Sequence, residues 1–214
     1  EGQALIRELA TQADVVLDCT DNFGTRHAVN AACVAHRKPL VSGAAIGFDG
    51  QVSVYDTRAP EAPCYACLFP PETTFEEVRC STMGVFAPLV GIIGTVQAAE
   101  ALKLLSGMGS HMAGRLLMLD GRELSWTDIR IERNVTISVR GGLKLVCDVF
   151  RPSAAGKFPA LFMISPYDRA QQSMEMVPIA FPGVDRGSLE VGDFNFYVRR
   201  GYAFVIAQLR GTFG

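Results

Sequence analysis

Asp21 and Asn22 stand between a short, mostly aliphatic run at 14–19 (DVVLDC) and a helix-like segment at 26–36 (RHAVNAACVAH). A strand that ends in acidic and amide side chains at a helix N-terminus is the usual ligand crevice of an open α/β sheet. A carboxylate there can hold Mg2+, which neutralises nucleotide phosphates. Either residue also fits the plainer role of N-cap, accepting hydrogen bonds from the first backbone N–H groups of the helix. A second chemical signal is Cys64-Tyr65-Ala66-Cys67. Two thiolates at this spacing fill two corners of a tetrahedral zinc site, whose structural form takes four ligands. The chain has no second Cys-x-x-Cys, and His27, His36 and His111 show no ligand-like spacing. The pair reads as half of a zinc site or as two ordinary thiols. A redox dithiol has less support, because no helix start is evident at Cys64 to lower its pKa. Cys80 falls in a polar stretch, 72–83, that reads as a surface loop of a length often given to function.

The elements that must position these groups alternate in the manner of an α/β fold. The opening residues form a polar segment leading into the strand at 14–19. A second strand is expected at 39–46 (PLVSGAAI). A turn at 48–51, with Asp49-Gly50 as its signal, then leads into a strand at 52–55. The apolar run at 87–105 predicts a long helix stopped by Ser106-Gly107, with its stripe in a core or a dimer interface. A strand at 116–119 follows. From Asn134 the pattern changes to a hairpin, 134–139 with 143–150, then a strand at 158–164 and a long loop at 165–193. A short helix at 194–201 and a strand at 203–209 complete it.

Composition narrows the class. The 214 residues carry a net charge of −2, which gives no electrostatic case for nucleic acid or an anionic membrane. No signal peptide is evident, and no apolar stretch approaches the ~20 residues of a membrane helix. The six cysteines are too few for a secreted disulfide scaffold, so a reducing cytoplasm is expected.

Several runs then occur together in order: LDCTDN at 17–22, Arg26, PLVSGAAI at 39–46, GQVSVY at 50–55 and CYAC at 64–67. GVFAPLVGIIGTVQAAEALKLL at 84–105 and GRLLMLDG at 114–121 complete the series. Residues 1–133 thereby resemble the C-terminal half of the ubiquitin-activating-like adenylyltransferases of molybdopterin and thiamine biosynthesis. The resemblance implies a Rossmann-like half that uses ATP and Mg2+ to activate the C-terminal glycine carboxylate of a small ubiquitin-fold sulfur-carrier protein. It also implies a homodimer. Asp21 matches the Mg·ATP aspartate, with Asn22 and Arg26 flanking the same site. Cys80 matches a cysteine that some members use for sulfur or thioester chemistry, and Cys64 and Cys67 match the first zinc pair. The family's Gly-rich nucleotide loop does not occur in the chain and is expected upstream. The chain alone is therefore expected to be inactive.

Residues 134–214 resemble the N-terminal part of the cocaine-esterase and Xaa-Pro dipeptidyl-peptidase α/β-hydrolases. The resemblance rests on VRGGLKLVCDVFRP, FPALFMISPYDR and FYVRRGYAFVIAQLRGTFG. It implies an oxyanion-hole role for Tyr167, but no Gly-x-Ser-x-Gly elbow occurs in the chain to supply a nucleophile. The expected architecture is an incomplete adenylyltransferase half, 1–133, followed by an incomplete hydrolase sheet, 134–214. Alternatives are a non-catalytic carrier-binding or dimerisation module, or a truncated serine hydrolase.

Overall fold

The computed structural model describes residues 2–59, 62–69, 84–165, 169 and 194–209. The chain divides into two compact units, Glu1–Ala66 with Glu77–Asp128 and Cys67–Glu76 with Ile129–Gly214. Both are mixed α/β, the class expected from sequence.

The first unit opens on helix α1, Gly2–Gln12, where the sequence pattern suggested only a polar segment. Strand β1 (Val16–Asp18), helix α2 (Phe23–Ala35) and strand β2 (Leu40–Ile46) follow as a strand–helix–strand unit. β1 and β2 run parallel, with Val16 opposite Leu40 and Asp18 opposite Ser42. Strands β3 (Asp49–Tyr55) and β4 (Arg115–Asp120) add antiparallel neighbours, giving the order β1-β2-β3-β4. The β2–β3 turn sits at Gly47-Phe48, two residues before the expected Asp49-Gly50. Gly47 has φ of 54°, so the left-handed residue is the earlier glycine. Gly50 serves packing instead, because a Cβ there would lie 2.7 Å from Ile93 Cδ1.

That approach is what lets helix α4, Ala87–Ser106, lie on β2 and β3; the one-turn helix α3, Tyr65–Leu68, precedes it in sequence. Val41, Val52, Val54 and Leu89 are fully buried there, with Ile93, Ala101, Met112 and Leu119 completing the core. Each of the Val, Leu, Ile and Met side chains contributes ~1.5–3 kcal/mol by leaving water, and Ala101 less. α4 ends where Gly107 turns left-handed and its N–H donates to Lys103 O at 2.9 Å. α4 has 20 residues, and an 18-residue stretch of it has a mean hydropathy of 1.4, so by length and composition alone it is long and apolar enough to cross a membrane, contrary to the sequence expectation. Its buried Gln97 and Glu100 are nevertheless paired. Glu100 accepts from Met112 N at 2.8 Å and meets Lys103, while Gln97 bonds to the strands beneath.

Strand β5 (Ser125–Ser138) begins in the last residues of the first unit and continues from Ile129 in the second, which also contains β6 (Lys144–Pro152), β7 (Ala160–Ser165), β8 (Ala203–Gln208) and helix α5 at Phe194–Val198. Strand order is β5-β6-β8-β7, antiparallel except for the β7–β8 pair. β5 begins well before the hairpin strand expected from Asn134. A bulge between Glu132 and Val135 shifts its register, and Asn134 takes φ of 56° there. Behind the bulge lies Asp148, wholly buried. It accepts from Arg169 Nη1 at 2.6 Å and from Asn134 N at 3.1 Å, and Arg133 Nε stands 3.3 Å away. Arg133 also donates to Cys67 O at 2.6 Å.

Candidate active-site turn

β1 ends in a carboxylate that faces inward. Asp18 is 2% exposed, unusual for an acid unless it is paired. Its Oδ1 accepts from the backbone N–H of Thr20 at 3.0 Å and from the Thr20 hydroxyl at 2.7 Å. Its Oδ2 accepts from Ser42 Oγ at 3.2 Å and lies 3.6 Å from Arg26 Nη1. Arg26, on the first turns of α2, is itself buried. It donates to Gly43 O at 3.1 Å, to Ser42 Oγ at 3.5 Å and to Thr20 O. The same two groups therefore bind both flanks of the turn that follows β1.

On that turn Asp21 is exposed to solvent. Asn22 caps α2, its Oδ1 accepting from Thr25 N at 2.8 Å. Of the two capping alternatives, the structure gives the cap to Asn22, leaving Asp21 as the outward acid. Arg26 shares the turn with them, but its guanidinium points into the protein, where it neutralises Asp18. An exposed carboxylate at this place fits Mg2+, which takes one or two protein carboxylates and completes its shell with water and phosphate oxygens.

The cysteine pair has a different setting. Asn30, buried on α2, accepts from Tyr65 N at 3.0 Å and reaches Cys64 Sγ with its amide at 3.8 Å. It thus caps α3 from another element, and the helix turn at Tyr65 corrects the sequence reading that none starts beside Cys64. Tyr65 packs edge-on against Tyr55 and His27, and burial lowers the pKa of His27. Among the described residues, no group of three or more His, Cys, Asp or Glu side chains is placed to hold a metal. Cys64 and Cys67 by themselves do not make a closed zinc site. Cys80 and Tyr167 lie outside the described residues.

Sequence reasoning missed Asp18, Ser42 and Gln97. Two signals were available: an acid closing a buried strand, and polar residues inside the otherwise apolar α4. Cys33 also lies beneath this region, its thiol pushed up to about 11 by burial and then by Asp18.

Residues 2–139 match the model of the ThiF family, which covers more than half of the chain. The chain belongs to the ThiF family. Residues 141–214 match the model of the X-Pro dipeptidyl-peptidase (S15 family). The chain is 46% identical over 141 residues to the sulfur carrier protein ThiS adenylyltransferase of Escherichia coli (strain K12), covering 66% of this chain and 55% of that protein. It is 50% identical over 119 residues to the adenylyltransferase and sulfurtransferase MOCS3-1 of Drosophila pseudoobscura pseudoobscura, covering 55% and 26%. The chain thus spans about half the length of the first relative and about a quarter of the second. A crystal structure of E. coli MccB with ATP aligns with a TM-score of 0.43 at 17% identity, covering 54% of this chain and 36% of that one. The ThiF match takes in the whole Asp18–Arg26 turn and α4.

Proposed function

We propose that the ThiF-family part of this chain is the C-terminal half of a sulfur-carrier adenylyltransferase, spanning residues 1–133, with a hydrolase-like part from 134. The observation that carries the reading is the outward Asp21 on a turn locked from beneath by Asp18, Thr20 and Arg26. In this reading the substrates are ATP and the C-terminal glycine carboxylate of a ubiquitin-fold carrier protein, in thiamine or molybdopterin biosynthesis. The carboxylate attacks the α-phosphorus, a bond to its oxygen forms, and pyrophosphate leaves with the electron pair of the broken bond.

Asp21 holds Mg2+, which supplies charge neutralisation for the phosphates. Asn22 fixes the start of α2 beside it, and Arg26 keeps the turn in place. Cys80 serves sulfur or thioester chemistry, and the chain works as a cytoplasmic homodimer. Zinc at Cys64 and Cys67 needs two further donors, and no step passes through it. By the sequence resemblance Tyr167 would correspond to the oxyanion-hole tyrosine of the hydrolases, and the chain contains no Gly-x-Ser-x-Gly elbow for it to serve.

The chain contains no Gly-x-Gly-x-x-Gly run, so its affinity for ATP is low and its exchange rate alone is low or absent. Two measurements test this. ATP–pyrophosphate exchange with the E. coli ThiS carrier should be near background. Mn2+·ATP binding, followed by electron paramagnetic resonance at millimolar nucleotide, should be detectable and weakened by Asp21→Ala. Binding that is indifferent to Asp21→Ala, or robust exchange that survives it, refutes the reading.

A further inference from the structure

Gln97 is the polar centre of α4, 3% exposed and in contact with both parallel strands. Its Nε2 donates to Asp18 O at 2.9 Å and to Val41 O at 3.2 Å, so one amide group joins the last residue of β1 to β2. Its Oε1 is 3.7 Å from Cys19 Sγ, within reach of the thiol of the first residue beyond the strand. β1 has only three residues paired with β2, so the ladder alone gives its end little hold. We propose that Gln97 is a positioning residue: its carboxamide fixes the C-terminal end of β1, and thereby the place from which Asp21 meets a phosphate-bound cation. This rests on the reading of Asp21 given above.

Gly43 supplies the independent observation. A Cβ built there would lie 2.2 Å from Gln97 Oε1, 2.3 Å from Cδ and 2.8 Å from Nε2. Its backbone is not left-handed, so torsional freedom is not the reason for glycine. The carboxamide fills the volume that a side chain on β2 would take. Strand and helix are therefore matched so that an amide, with two donors and one acceptor, reaches the three groups at the end of β1.

The test uses the full chain and four variants: Gln97→Met, Gly43→Ala, Gly43→Ala with Gln97→Ala, and Asp21→Ala. Three quantities are read: thermal midpoint, hydrogen exchange of the Thr20 N–H, and Mn2+·ATP affinity. Gln97→Met should speed exchange at Thr20 and weaken Mn2+·ATP by about ten- to a hundredfold, the usual range for groups that hold a metal ligand in place. The double variant removes the clash, so it should regain the midpoint lost in Gly43→Ala. It should regain neither turn protection nor affinity. It also keeps the test usable if Gly43→Ala alone does not fold.

Unchanged turn protection and affinity in Gln97→Met would overturn the inference, as would recovery of all three quantities in the double variant. If Asp21→Ala leaves Mn2+·ATP affinity unchanged, the nucleotide reading falls and the role assigned to Gln97 falls with it. An intact Asp21 effect with an inert Gln97 would remove the present inference alone.

Discussion

Replacing Asp18 by alanine removes the carboxylate that Arg26 pairs with beneath the turn. The carboxylate is nearly inaccessible, with side-chain exposure of 1% against 8% for its Arg26 partner. It accepts three hydrogen bonds, from Thr20 N, Thr20 Oγ1 and Ser42 Oγ, at 3.0, 2.7 and 3.2 Å. Bonds to a charged group contribute ~1.5–3 kcal/mol each, but they are not additive and the two hydroxyls can turn elsewhere. Arg26 keeps Gly43 O and Thr20 O as neutral acceptors, which do not neutralise its charge. An uncompensated buried partner costs ~3–5 kcal/mol, and that figure is the expected loss for Asp18→Ala. Asp18→Asn retains an acceptor for Thr20 and should lose ~1–3 kcal/mol. Urea unfolding, followed by circular dichroism and by the single Trp126, measures both. With a slope of ~2 kcal/mol/M, Asp18→Ala should lower the midpoint by ~1.5–2.5 M. The double variant Asp18→Leu with Arg26→Met should be less damaged than the sum of its parts, because it leaves no lone charge. A loss below ~1 kcal/mol for Asp18→Ala, or strict additivity in the double variant, would refute the account of a buried, mutually dependent pair.

Asp148→Ala should lower the stability of the second unit by ~3–5 kcal/mol in the same assay, since it strands Arg133 and Arg169 without their anion. Native-state alkylation with iodoacetamide near pH 8, read by mass spectrometry, should modify the exposed Cys19 and spare Cys33, whose burial pushes its pKa up to about 11. Burial lowers the pKa of His27 in the folded protein, so the unfolded chain takes up the proton first as pH falls. Stability should therefore decline from about pH 6.5 downward until the folded imidazole also protonates. His27→Gln should remove that part of the slope in unfolding midpoints measured between about pH 7.5 and about pH 5.5.

The strand–turn–helix at the candidate site was legible because its signals are local. The aliphatic run gives β1, and Asn22 gives the start of α2, at Phe23 rather than the expected Arg26. α4 was placed within one residue by its apolar length and its glycine stop. What stayed hidden depends on contacts distant in sequence. Asn30 caps a helix thirty-five positions away, and Gln97 bonds to a strand seventy-nine positions away; neither leaves a periodic trace. The Asp49-Gly50 pair misdirected the turn because a glycine demanded by packing looks identical to one demanded by torsion. β5 was read as starting at Asn134 because its first half is interspersed with charge and a bulge interrupts its register.

The buried polar residues of α4 also bear on how that helix reads as an apolar segment. By length and composition alone α4 meets the requirement for a membrane span, as buried core helices also can. A basic or acidic side chain near the middle of such a segment opposes transfer into lipid by a few kcal/mol. Gln97 lies near the middle of α4 and Glu100 about one turn beyond it, so that opposition is carried within the helix itself. The groups that bind the strands and Met112 thus also make α4 a poorer membrane span than its length and hydropathy alone would give.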